Sequence, residues 1–274
     1  MFIHTGISDE AALGIEDQVK AHRELGWDYL ELRTVDGVNV CKLSDPEFDR
    51  VCMVLSDANM RVSAFSSPIG DWSHAITDSF LPDCNLLRRT IPRMERLGVK
   101  IIRVMSYPND KANPLPPEVW EKRAKDRMHG LLKIVGDRDI VLAHENCSGW
   151  GGLCSANNVA LMEEINDPRF GVLFDTGNPP TYGKNSWTWY QAVKKWIVYV
   201  HIKDANGPDE YTYPGEGKGC VRRILKDLAG CYDGFISIEP HLKAVIHNGQ
   251  QADDPKALSV SYINYGRRLV RLAA

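Results

Sequence analysis

Four polar residues close four successive apolar runs. Glu145 follows Val141–His144, Asp175 follows Gly171–Phe174, His201 follows Ile197–Val200 and Glu239 follows Phe235–Ile238. They stand 30, 26 and 38 residues apart, the length of a strand, a helix and two loops. Each run reads as a buried strand. Three carboxylates and one imidazole would then meet at one end of a sheet. That donor set suits a divalent cation. One carboxylate at a strand end is often the N-cap of the next helix, and Asp175, followed by Thr176, Gly177 and Asn178, is most open to that role. Four on consecutive strands favour the metal.

The elements that must position these residues recur along the whole chain. Strands are predicted at Phe2–Gly6, Trp27–Arg33, Arg61–Phe65, Lys100–Met105, Ile140–Glu145, Gly171–Asp175, Ile197–Ile202 and Phe235–Glu239. Between them, Ile15, Val19, His22 and Leu25 share a helical face, and Gly26 is a stop signal. Asp45-Pro46 opens a second helix. Further helices are expected at Asn85–Leu97, Pro117–Val135, Asn157–Ile165, Ser186–Lys195, Val221–Leu228 and Asp254–Leu272. Strands alternating with helices imply a parallel sheet, and eight of them imply an α/β fold of one closed (β/α)8 TIM barrel spanning residues 1–274. A doubly wound open sheet would carry a Gly-rich phosphate turn after its first strand; Thr5-Gly6-Ile7-Ser8 is not one. In such barrels the active site lies at the C-terminal ends of the strands, where all four residues fall.

With 274 residues, 43% hydrophobic and 25% charged, the composition is that of a globular protein. A net charge of −3 with both signs interspersed argues against nucleic-acid and membrane partners. Seven cysteines without a Cys-x-x-Cys pair argue against a zinc-thiolate site and for reduced thiols in a cytoplasmic protein. The N-terminal residues lack signal-peptide character.

The motifs around the quartet are Ala143-His144-Glu145-Asn146, Phe174-Asp175-Thr176-Gly177-Asn178, Val200-His201-Ile202-Lys203-Asp204, Pro214-Gly215-Glu216-Gly217 and Ile236-Ser237-Ile238-Glu239-Pro240. Here the chain resembles the xylose-isomerase-like TIM-barrel superfamily of sugar and sugar-phosphate isomerases and epimerases. The resemblance implies that Glu145, Asp175, His201 and Glu239 bind a divalent metal, most simply Mn2+, with Mg2+, Co2+ or Zn2+ as alternatives. It further implies that Glu145 and Glu239 are an acid/base pair, one removing a proton beside a ketone and the other returning it on the opposite face. The expected substrate is a small carbohydrate, and a homo-oligomer is compatible with the resemblance. Two positions depart from the ketose 3-epimerase pattern: Asn178 stands where those enzymes have a substrate-binding histidine, and Gly207 where they have an arginine. The superfamily's trinuclear zinc endonucleases need additional histidines, which Asn206–Lys218 lacks.

Further residues are candidates for substrate contact. His144 precedes a ligand, and a base there would suit the superfamily's lyases, inosose dehydratases or C-glycoside-cleaving enzymes. Lys203 shares a strand face with His201. Arg33 and Arg103 could bind substrate or anchor a carboxylate such as Glu31. His4 on the first strand is a pocket candidate. Trp150, in the glycine-rich segment Ser148–Gly152, could be a sugar-stacking wall, and Pro214–Gly219 a lid or a tight turn. His241 and His247 carry weaker signals. A carbohydrate-binding barrel without catalysis is the alternative from another class.

Overall fold

A computed structural model describes residues 1–242 and 254–273; His247 lies outside the described residues. Eight parallel strands form the barrel: β1 (Ile3–Gly6), β2 (Tyr29–Leu32), β3 (Arg61–Ser66), β4 (Ile101–Ser106), β5 (Val141–Gly149), β6 (Phe170–Asp175), β7 (Ile197–Ile202) and β8 (Phe235–Ile238). Each pairs with the next from β2 to β8, and β8 pairs with β1. The remaining seam, β1 to β2, is closed by a single parallel bridge between Ile7 and Glu31 and by Ser8 Oγ donating to the Glu31 carbonyl at 3.0 Å. The chain is thus a TIM barrel, as expected.

The connecting helices are α1 (Ile15–Glu24), α2 (Asp45–Asp57), α3 (Leu81–Leu97), α4 (Pro117–Val135), α5 (Ser155–Ile165), α6 (Ser186–Val193), α7 (Val221–Leu228) and α8 (Pro255–Ala273). Ser44 caps α2 in a reciprocal box with Glu47, supplying partners for the otherwise unpaired first-turn donors. Helix α3 starts at Leu81 rather than Asn85, because Pro82 is compatible with a first turn that needs no N–H. Strand β5 runs four residues past Glu145 to Gly149. Gly149 has φ +86°, and a Cβ there would meet the Ser106 carbonyl carbon at 2.3 Å. Only glycine lets β5 and β4 approach so closely.

The barrel is filled in layers. Ala64, Ala143, Leu173 and Tyr199 form an apolar layer inside it. A much larger apolar core lies between the strands and the helices. Two residues singled out above belong outside the barrel. His4 stacks on Trp27, with ring centroids 6.0 Å apart, because its neighbour Thr5 takes the inward position and meets Ser63. Alternation then points His4 away from the pocket. Trp150 is only 6% exposed and packs in the outer core, with the Lys125 ammonium 5.2 Å from its ring. It is a core residue and not a sugar wall: the segment folds back as a 3-10 turn under α4 and α5.

Buried His22 on α1 makes the fold sensitive to acid. Its Nδ1 bonds the Gln18 carbonyl at 2.9 Å and its Nε2 faces the Tyr262 hydroxyl at 3.0 Å, an arrangement that suits a neutral ring. Burial pushes its pKa from 6.5 down to about 4. The folded state therefore binds a proton less readily than the unfolded chain. The associated stability is complete above 6.5 and is lost as pH falls towards 4, amounting to about 3 kcal/mol. Urea unfolding of His22→Gln should show that much less pH dependence between about 7 and 4 than the parent. An unchanged slope would refute the assignment.

Candidate metal centre

Strand register brings the quartet to one level. Asp175 lies opposite His201, and His201 opposite Ser237, two residues before Glu239. Glu145, Asp175, His201 and Glu239 are all buried, and each offers one ligand atom within 4.8 Å of the others. His201 Nδ1 lies 3.3 Å from Glu239 Oε2 and 3.6 Å from Glu145 Oε1.

Beneath His201 sits Glu31. Its carboxylate faces His201 Nε2 at 3.1 Å from both oxygens. Ser237 Oγ donates to it at 2.6 Å and Tyr199 OH at 3.0 Å, and Ser66 Oγ donates as well. Burial raises the Glu31 carboxyl, but His201, Ser237 and Ser66 more than offset it and hold the group below its ordinary range. An ionised Glu31 fixes the Nε2–H tautomer, so Nδ1 turns its lone pair towards Glu145 and Glu239. This is the carboxylate–histidine arrangement that orients a metal-binding imidazole. Glu31→Gln should weaken divalent-metal affinity about 10–100-fold, measured by calorimetry on the metal-free protein. Equal affinity would show that Glu31 does not orient the ring.

Three buried atoms of the quartet face only charged neighbours: Glu145 Oε2 has Arg103 at 3.3 Å, Asp175 Oδ2 has Lys203 at 2.6 Å, and His201 Nδ1 has Glu239 at 3.3 Å. Asp175 divides its labour. Oδ1 accepts from the Gly177 and Asn178 N–H groups at 2.6 and 3.0 Å, the capping role weighed for it. Oδ2 is left for the site, where the Lys203 ammonium lies at 2.6 Å. Both roles suggested by its position thus coexist on different oxygens.

Charge argues the same way. Asp9, Glu10, Glu31, Glu145, Asp175 and Glu239 are buried together with Arg33, Arg103 and Lys203. Six carboxylates thus face three permanent cations, an excess of three before any imidazole takes up a proton. Burial, with repulsion from Glu239 and Glu145, pushes Asp175 up to about 7 against the pull of Lys203. Burial also opposes the charge on Glu145, yet Arg103 and His201 bring it down to about 2. Glu239 is held well below the ordinary range, as Lys203, His241 and His201 outweigh its burial. His201 is raised, because Glu31, Glu145 and Glu239 overcome its burial. A dication among these oxygens would relieve the excess and take the place of the His201 proton. The residues fit such an ion.

The surrounding cations brace the carboxylates. Arg33 bonds Asp9 at 3.0 Å and Glu10 at 3.1 Å and reaches Glu239 at 3.4 Å. Lys203 bridges Asp175 and Glu239 at 2.6 and 2.9 Å. Arg103 lies 3.3 Å from Glu145 and not on Glu31. Asn178 Nδ2 donates to Glu145 at 3.3 Å. His241 Nδ1 lies 2.7 Å from Glu10. Asp9 and Glu10 escaped the sequence reading because they belong to a short turn after β1 with no periodicity.

His144 does not join the site. Its ring faces Asn158 at 3.5 Å and Phe170 at 6.1 Å, outside the barrel, since Glu145 takes the inward position. Burial pushes it down to about 4. The Pro214–Gly219 segment is a pinned turn and not a lid. Asp204 accepts from the N–H groups of Gly215, Gly217 and Gly219 at 2.8, 3.0 and 2.8 Å.

Above the quartet opens a cleft of about 900 Å3, into which Asn178, Cys147 and Tyr211 project. Among the described residues, no helix is long and apolar enough to cross a membrane.

A barrel with a carboxylate-rich centre at its C-terminal face defines a class of protein, and comparison with known proteins agrees. The chain belongs to the xylose isomerase-like TIM barrel family, whose model matches residues 19–259. It is 31% identical over 148 residues to a 2-epi-5-epi-valiolone 7-phosphate 2-epimerase from Actinoplanes sp., covering 53% of this chain and 52% of that one. It is 25% identical over 173 residues to inosose dehydratase 2 from Bacillus cereus, covering 55% and 57%. The matches thus span about half the length of these curated relatives. A Mycobacterium smegmatis xylose isomerase-like TIM barrel protein in complex with magnesium superposes with a TM-score of 0.69 at 16% identity, over 100% of this chain and 97% of that one.

Proposed function

We propose that the protein is a divalent-metal-dependent epimerase or isomerase of a sugar or polyol ketone. The observation that carries this is the convergence of Glu145, Asp175, His201 and Glu239 from four consecutive strands, with their ligand atoms within 4.8 Å. The oxygen-rich set with one imidazole favours Mn2+, with Mg2+, Co2+ and Zn2+ as alternatives. The bound ion would supply positive charge to the oxygens of the developing enediolate. Glu145 and Glu239 exchange the proton: one takes it from the carbon beside the carbonyl, and the other delivers a proton to the opposite face. Arg103 and Asn178 hold Glu145, while Arg33 and Lys203 hold Glu239. Asn178, which lines the cleft, and Lys203 are the residues we assign to substrate oxygens.

The test is incubation of the Mn2+-loaded protein with ketoses and inososes in D2O. Deuterium at the carbon beside the carbonyl, together with an isomeric product, is the expected result. No exchange with any ketone would sink the proposal. The local similarity to an inosose dehydratase supports a second reading, a lyase starting from the same proton abstraction. It would give deuterium exchange with loss of water rather than an isomer. The similarity to a 2-epi-5-epi-valiolone 7-phosphate 2-epimerase and to an inosose dehydratase supports a small-molecule substrate.

A further inference from the structure

The cleft above the quartet is large and aromatic. At about 900 Å3 it is near the top of the roughly 300–1,000 Å3 range of small-molecule sites, far more than one sugar ring fills. Four of its lining side chains are aromatic: Trp72, Trp120, Tyr182 and Tyr211. They come from four different places, after β3, at the start of α4, after β6 and after β7. Trp72 is 42% exposed and Tyr182 47%, so neither ring serves the core. Trp120 is anchored by its Nε1 donating to the Tyr107 carbonyl at 2.8 Å.

The aromatic walls reach the catalytic floor. Tyr211 lies 5.0 Å from the His241 ring, and His241 lies 3.7 Å from Glu239. Tyr182 OH is 3.9 Å from Cys147 Sγ, two residues beyond Glu145. Among the described residues the lining is also poor in positive charge. Among the described residues Lys111 is its only Lys or Arg, and Asp78 and Asp209 line it too. A phosphate dianion needs convergent cations or a nest of N–H groups, and this lining gives it one lysine against two carboxylates.

We infer that the substrate is an unphosphorylated two-ring compound. Its ketone-bearing ring sits on the Glu145–Glu239 floor, and a second ring, glycosyl or aryl, lies among Trp72, Trp120, Tyr182 and Tyr211. This rests on the proposed function for the floor but is read independently of turnover. Both kinds of second ring present an apolar face to aromatic side chains.

Calorimetry on the Mn2+-loaded protein would compare D-glucose, D-glucose 6-phosphate, cellobiose and p-nitrophenyl β-D-glucopyranoside, analogues in which a hydroxyl replaces the ketone so that binding is read without turnover. At least one two-ring compound should bind about five- to tenfold more tightly than D-glucose. Cellobiose and the nitrophenyl glucoside distinguish glycosyl from aryl. Trp72→Ala and Tyr182→Ala, both at exposed positions, should each reduce that advantage. The inference is overturned if neither two-ring compound exceeds D-glucose, if D-glucose 6-phosphate binds more tightly than D-glucose, or if both variants keep the advantage. Deuterium exchange with simple ketones reports on the floor alone, so failure of the floor and failure of the aromatic subsite are separately visible.

Discussion

Metal-loaded Glu145→Gln and Glu239→Gln should each lose about 10^3–10^4-fold in kcat, within the range for removing a positioned acid or base. Glutamine keeps the shape and one oxygen for the ion but cannot carry the proton. The two losses should differ in kind. If the carboxylates serve opposite faces, each variant retains solvent exchange from only one of the two epimers. Deuterium incorporation into each epimer, followed separately by mass spectrometry, reads this directly. Near-parental exchange from both epimers in either variant would remove that residue from the acid/base role. Both variants should remain folded. In Glu145→Gln the amide oxygen keeps one of the two bonds, to Arg103 or to Asn178, which meet different carboxylate oxygens. In Glu239→Gln, Lys203 retains Asp175.

Removing the ion should have the next largest effect. Chelation would leave six buried carboxylates facing Arg33, Arg103 and Lys203, with the imidazoles and the Asp175 carboxyl, raised to about 7, left to take up protons. Turnover should fall to background. Stability should fall too, by about 2.7 kcal/mol relative to protein in metal at a hundredfold excess over Kd, or roughly 5–10 °C in Tm for a chain of this size. Asp175→Ala should reproduce the loss of binding, since Oδ2 is the oxygen its backbone bonds leave free. Elemental analysis showing no stoichiometric ion, with Tm indifferent to chelator and to added Mn2+, would refute the metal centre.

The fold was legible because its elements are periodic. Every barrel strand was anticipated, and α4 and α7 have the expected limits. The quartet was legible for a related reason. In a parallel barrel the strand ends are equivalent positions, so polar residues at the ends of apolar runs fall at the same mouth. The supporting residues were less visible. Asp9 and Glu10 lie in a turn, and Arg103, open from the sequence to substrate or to a carboxylate such as Glu31, meets the carboxylate of Glu145. Nothing in local spacing links residues that far apart in the chain.

The sequence by itself determined the alternation of strands and helices, the barrel and the level at which the four polar residues meet. Tertiary structure decided which way the neighbouring residues face and what pairs with what. His144, His4 and Trp150 all looked eligible, yet all three lie outside the barrel. For the two histidines the reason is that their strands are buried on both faces, so inward and outward positions are chemically alike along the chain; Trp150 lies in the turn after β5. Only the closed barrel assigns a side to each. The same closure brings Glu31 beneath His201 and sets the aromatic cleft above it.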